Sequence, residues 1–134
     1  MNMTKLSISY TDAADRDALY LSKNEITSDV IHAMLNDLET DVAILEIDYD
    51  DNSLSVEFDK QRDAFIGWYN VFEDEFYFLD NGSGGTECVD LLVNVCPEER
   101  MMCYAMDDIK AIVSHFCETG QLHPAFTWIL DNEI

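Results

Sequence analysis

The sequence predicts an α+β fold: an antiparallel sheet of about five to seven strands with two helices packed on it. Between residues 42 and 80 apolar and polar side chains alternate, in short runs broken by acidic turns, which is the pattern of up-and-down strands. Two other segments, 27–40 and 107–119, repeat their apolar residues with the period of a helix. The chain has 134 residues, 48% of them hydrophobic, which suits one domain, 1–134, around one core.

Residues 5–11 read as a first strand, with Leu6, Ile8 and Tyr10 alternating against Ser7 and Ser9. Residues 12–24 are polar and lack a firm period, so mostly loop is expected, tacked to the core by Leu19 and Leu21. The first helix starts near Thr27 or Ser28, either of which suits an N-cap, and its buried stripe is Val30, Ile31, Met34, Leu35 and Leu38. A strand over 42–49 turns Leu45, Ile47 and Tyr49 to one face and Ile44, Glu46 and Asp48 to the other. Asp50-Asp51-Asn52 supplies turn chemistry, and 53–58 resumes alternation with Leu54, Val56 and Phe58 inward. A third strand covers 64–69, where Gly67 marks a bulge or a close approach. A fourth follows the acidic bend Glu73-Asp74-Glu75 and runs through Phe76-Tyr77-Phe78-Leu79.

Residues 81–87, NGSGGTE, read as a flexible loop. A strand is expected over 89–95, then an irregular stretch with a short extended piece near 101–105. In the last helix Ile109, Ile112, Val113, Phe116 and Cys117 form one apolar face, and Asp107 or Asp108 caps or charges its start. Gly120 supplies a left-handed stop and Pro124 blocks continuation. Phe126, Trp128 and Leu130 then share one face of a final strand.

Charge is the strongest global feature: 28 acidic against 7 basic residues, a formal net charge of −21. Such a surface repels nucleic acid and anionic membranes and favours a basic partner, although solubility alone is a sufficient reason for an acidic surface. No apolar run reaches the ~20 residues of a membrane helix, and the N-terminus lacks a signal-peptide pattern, so a cytoplasmic protein is expected. Cys88, Cys96, Cys103 and Cys117 show no C-x-x-C spacing and are expected to be reduced and structural.

The candidate chemical motifs are weak. Asp48-Tyr49-Asp50-Asp51-Asn52-Ser53 imitates the start of a calcium loop, but Ser53 stands where that loop needs Gly and both flanks alternate like strands. Gly82-Ser83-Gly84-Gly85-Thr86 has no Lys and opens no helix, so it is no phosphate loop. His115, Glu118 and His123 lack zinc-protease spacing, and Cys117 lies on a buried stripe where a nucleophile has no access. No cofactor and no metal are expected. What recurs is a surface pattern: acidic turns at Asp48, Asp50 and Asp51, at Glu73, Asp74 and Glu75, and at Asp80 and Glu87, interleaved with Tyr49, Trp68, Phe72 and Tyr77. These acids, with Tyr49 and Trp68, are the expected partner-binding residues, anchors within a charged rim. For Trp68 a place in the core is the favoured reading.

The order of a helix, hairpins with acidic turns, an aromatic strand and a Gly-containing loop ends in Phe116-x-x-Thr119-Gly120-x-x-x-Pro124 and Trp128. It resembles the bacterial polymorphic-toxin immunity proteins, immunity protein family one, from about Ser28 onward. Members often have a shorter Gly-to-Pro spacing and an Arg before the Pro; here Gln121 and Leu122 intervene and His123 precedes Pro124. The resemblance implies a non-enzymatic inhibitor that binds the catalytic domain of a cognate secreted toxin in the cytosol, in interbacterial competition. The toxins of this family commonly attack nucleic acid as nucleases or deaminases, and a toxin that grips phosphate is basic. Two alternatives stand beside it: an acidic nucleic-acid mimic inhibiting host DNA-binding or restriction proteins, and a small metal-binding or hydrolytic enzyme.

Overall fold

The computed structural model describes residues 6–12, 19–22, 29, 42–59, 63–91 and 97–130. Its framework is a sheet of β1 (Leu6–Asp12), β2 (Leu19–Ser22), β3 (Val42–Tyr49), β4 (Asn52–Phe58), β5 (Ala64–Asn70), β6 (Glu75–Asp80), β7 (Met102–Cys103) and β8 (Thr127–Leu130), with helix α1 (Met106–Thr119). The strand order is β2-β1-β3-β4-β5-β6-β8, every neighbouring pair antiparallel. The two-residue β7 lies off this path and pairs with β5 at Ala64 and Phe65, beyond the reach of β6, which pairs from Gly67 to Asn70. The fold is therefore α+β with an antiparallel sheet. Among the described residues it has one α-helix of defined extent; the first predicted helix lies outside them except for Asp29, which is helical and exposed.

Register places Leu45, Val56 and Ile66 in one row and Ile47, Leu54 and Trp68 in the next, all on the face that carries α1. Ile109, Ile112, Val113, Phe116 and Cys117 are buried against that face, so the periodic stripe of the helix is the core stripe. The helix begins after Ala105, which makes no side-chain cap; Asp107 and Asp108 lie in the first turn and oppose its positive end instead. Gly120 ends it with φ 71°, and its N–H donates to the Phe116 carbonyl at 2.7 Å. Phe78, Met101 and Met102 are buried apart from this cluster, and the Arg100 guanidinium lies 5.9 Å from the centre of the Phe78 ring.

Several sequence expectations change. Residues 19–22 form a strand rather than loop, because pairing with β1 supplies backbone partners that four residues of weak pattern do not announce. Val89, Asp90 and Leu91 are not in a strand; the remainder of the strand expected over 89–95 lies outside the described residues. That region instead carries one bridge, between Cys88 and Glu98, and backbone hydrogen bonds from Arg100 to Gly85 and from Glu99 to Glu87. Cys88 is disulfide-bonded, which overturns the expectation of four reduced cysteines; Cys103 and Cys117 are free and buried. Spacing along the chain does not report which thiols the fold brings together. Gly67 marks a close approach and not a bulge: pairing with β4 runs through it without a shift, and a Cβ there would lie 2.5 Å from Cζ of Phe76. No helix among the described residues is long and apolar enough to cross a membrane.

Candidate functional site

Antiparallel succession puts the β3–β4 and β5–β6 turns at the same end of the sheet, together with the C-terminal end of α1. The first turn is two residues, Asp50 and Asp51, between the paired Tyr49 and Asn52. The second is four, Val71 to Asp74, between the paired Asn70 and Glu75. Asp50 and Asp74 both adopt φ 52°, a left-handed conformation that a short polar side chain tolerates better than most. The turns touch directly: the Val71 N–H donates to the Asp51 carbonyl at 2.9 Å.

A chain of side-chain hydrogen bonds fixes the pair of turns to the helix. Asn70 accepts from the Glu73 N–H at 2.8 Å through Oδ1 and donates from Nδ2 to Asn52 Oδ1 at 2.6 Å. Asn52 Nδ2 in turn donates to the Gly120 carbonyl at 2.8 Å, and the buried Trp68 Nε1 donates to the same oxygen at 3.1 Å. Two donors thus satisfy a carbonyl that the helix terminus leaves without an intrahelical partner. Tyr69 donates its hydroxyl to Asp74 Oδ1 at 2.7 Å, and Ser53 donates to Asp48 Oδ1 at 2.8 Å. Tyr49 covers Gly120 and meets Phe116 edge-on, with ring centres 6.2 Å apart.

On this fastened base Val71 and Phe72 stand out in solvent, Phe72 at 83% exposure. Asp50, Asp51, Glu73 and Asp74 are exposed around them, with the half-buried Glu75 behind. No Lys or Arg occurs in residues 48–52 or 71–75. The crowding of carboxylates raises the pKa of groups within it. Glu73 is pushed above the ordinary carboxyl value by its hydrogen bond with Glu75 and then by that neighbour's charge. Tyr69 is pushed up by its hydrogen bond to Asp74, with burial and the Asp74 charge following.

The expected partner-binding residues therefore divide. Asp48, Tyr49, Asp50, Asp51, Glu73, Asp74 and Glu75 gather at this end. Asp80 closes β6 at the opposite end, and Glu87 lies on the loop that follows it, so these two do not join the group. Trp68, counted with the partner-binding residues, lies in the core, the place its pattern favours: it is 7% exposed, packs against Tyr77 with ring centres 5.7 Å apart, and its indole N–H is committed to Gly120. Sequence reasoning passed over Val71. The available signal was an apolar pair, Val71-Phe72, placed inside a turn where the surrounding residues are polar. Among the described residues no three of His, Cys, Asp and Glu converge as metal ligands would.

Set against protein-family models, curated proteins and solved structures, the chain matches none. The geometry of the double turn is what a functional reading has to rest on. An exposed aromatic on a hydrogen-bonded base, ringed by carboxylates, has the composition of a contact anchor within a charged rim.

Proposed function

We propose that the chain is an immunity protein that binds a cognate secreted toxin domain, a nuclease or deaminase acting on nucleic acid, and blocks its active site sterically and electrostatically. The observation that carries this reading is the joined acidic double turn with Phe72 at its apex. A phosphate-gripping cleft is basic; the carboxylates of both turns complement such a rim, and Val71-Phe72 offers the apolar contact that charge alone lacks. The turns are held by hydrogen bonds before any partner arrives, so little ordering entropy opposes binding. The net charge of −21 adds long-range steering toward a basic partner. Non-enzymatic action in the cytosol belongs to the same proposal. There the Cys88 disulfide has to withstand a reducing thiol pool, which intact-mass measurement after cytosolic expression reports.

The test uses the toxin domain encoded by the neighbouring reading frame. Co-expression is expected to rescue growth, and the purified pair is expected to bind. Phe72→Ala is expected to weaken binding about 30-fold or more, the loss typical of an anchor residue, with unchanged circular dichroism. Neutralising Asp50, Asp51, Glu73 and Asp74 to Asn or Gln is expected to slow association and flatten its salt dependence. Unaltered toxin killing at stoichiometric excess of the protein refutes the reading. A charge-only nucleic-acid mimic is distinguished by indifference to Phe72→Ala and by loss of all binding in salt.

A further inference from the structure

A cleft of about 370 Å³ opens at the end of the sheet remote from the double turn, between the first turn of α1 and the β6–β8 pair. Its floor includes Leu79, Met102 and Cys103, all buried. Tyr104, 53% exposed, and the half-buried Phe126 add aromatic surface to its lining, and the carboxylates of Asp80 and Asp108 bring negative charge. Among the described residues no Lys, Arg or His lines it. We propose that this cleft is a binding site for a basic side chain, an arginine or lysine of a peptide or protein, with its apolar stem on the floor and its cationic head between the aromatic rings and the two carboxylates.

The ligand class follows from the combination. An apolar floor recognises methylene groups, and aromatic faces attract a cation by their quadrupole, most strongly where water is partly excluded. Asp80 already accepts the Gly82 N–H at 3.0 Å through one oxygen, which orients its carboxylate and leaves the other oxygen for a ligand. An anion is disfavoured even though the helix start lies here, because Asp107 and Asp108 occupy the first turn. The negative field extends past the lining. Tyr104 is pushed above the usual phenol value by burial and then by Glu99, Asp63 and Asp59, and the Cys103 thiol is pushed up to about 11 by burial, with the charges of Asp108 and Asp63 adding to it. An uncharged ligand would fill the volume and leave that field unanswered.

The proposal is independent of the toxin reading and is tested on the free protein with small probes. Titration of the isotope-labelled full chain with N-acetyl-arginine amide, and separately with the lysine analogue, is expected to give saturable amide shifts confined to Asp80, Tyr104, Asp108, Phe126 and their neighbours. The stronger of the two identifies the preferred head group. The norleucine and glutamate analogues are expected to bind at least about tenfold more weakly, since one lacks the cation and the other reverses it. Asp108→Asn, on an exposed helical position, is expected to weaken arginine binding about threefold to tenfold, and Asp80→Asn, which keeps an acceptor for Gly82, to do the same. Norleucine binding as tightly as arginine and lysine, shifts spread evenly over the acidic surface, or an affinity unchanged in both Asn variants would each overturn the assignment.

Discussion

Gly120→Ala tests whether the helix terminus holds the double turn as described. Two costs meet at this residue. The first is conformational: φ 71° is left-handed, and an alanine there costs roughly 1 kcal/mol relative to glycine. The second is steric. The new Cβ would lie 2.5 Å from Cδ1 and 3.0 Å from Cγ of Tyr49, against a comfortable carbon–carbon separation of about 3.5–4.0 Å. These are ring atoms next to the stem, so no terminal rotation relieves the overlap, and the ring is itself packed on Phe116. Forcing such an adjustment costs about 1–3 kcal/mol. Together the two give roughly 2–4 kcal/mol of destabilisation. Gly82→Ala separates them, because Gly82 is also left-handed, with φ 82°, but has nothing within 4 Å of the built Cβ. It carries the conformational cost alone, about 1 kcal/mol. Urea unfolding followed by circular dichroism measures both variants. A Gly120→Ala loss no larger than that of Gly82→Ala would refute the packing of Tyr49 on the helix terminus, and with it the account of how the turns are held.

Three further outcomes are expected. Phe116→Ala, which empties a fully buried site and removes the partner of Tyr49, should cost about 3–5 kcal/mol in the same assay. Glu57 lies between Ile44 and Phe65 across the strands, and burial, then the charge of Glu46, raises its pKa. A raised carboxyl favours the fold while protonated, at low pH, and loses that contribution as pH rises through the folded value. Glu57→Gln should therefore raise the melting temperature at pH 7 and give no comparable gain near pH 3; a lower melting temperature at pH 7 would contradict this. Burial pushes the thiols of Cys103 and Cys117 up to about 11 and about 12, with Asp108 and Asp63 adding at Cys103 and Glu118 at Cys117. At pH 8 that leaves roughly one thiol in a thousand and one in ten thousand ionised, so iodoacetamide should label neither until the protein unfolds, as mass spectrometry would record.

The difference between the two ends of the sheet matters for the functional reading. The apex of the double turn offers projecting apolar side chains in a ring of acid, whereas the far end offers a recess with acid beside it. Both suit basic partners, but the projection needs a pocket on the partner and the recess needs only a side chain. Variants at Phe72 and at Asp108 therefore test the two proposals separately, and each leaves the core cluster intact.

Strand and helix identities are legible in local pattern. Alternation in residues 42–58 places Leu45, Ile47, Leu54, Val56 and Phe58 inward, and a 3.6-residue period places Ile109, Ile112, Val113, Phe116 and Cys117 inward, because one buried face imposes its period on the residues that line it. Gly120 is equally legible, since few other residues take its backbone angle at a helix end. Strand β2 is not, because four residues draw their order from pairing with β1 and carry little pattern of their own. The partner of the Trp68 indole N–H is not legible either, because its acceptor, the Gly120 carbonyl, is contributed from 52 residues away. The candidate site is non-local in the same sense. Acidic turns are visible one by one along the chain, but which of them meet is set by antiparallel pairing: it joins Asp50 and Asp51 to Glu73 and Asp74 and sends Asp80 to the opposite end. Composition reports how much negative charge a surface carries, and register reports where it is concentrated.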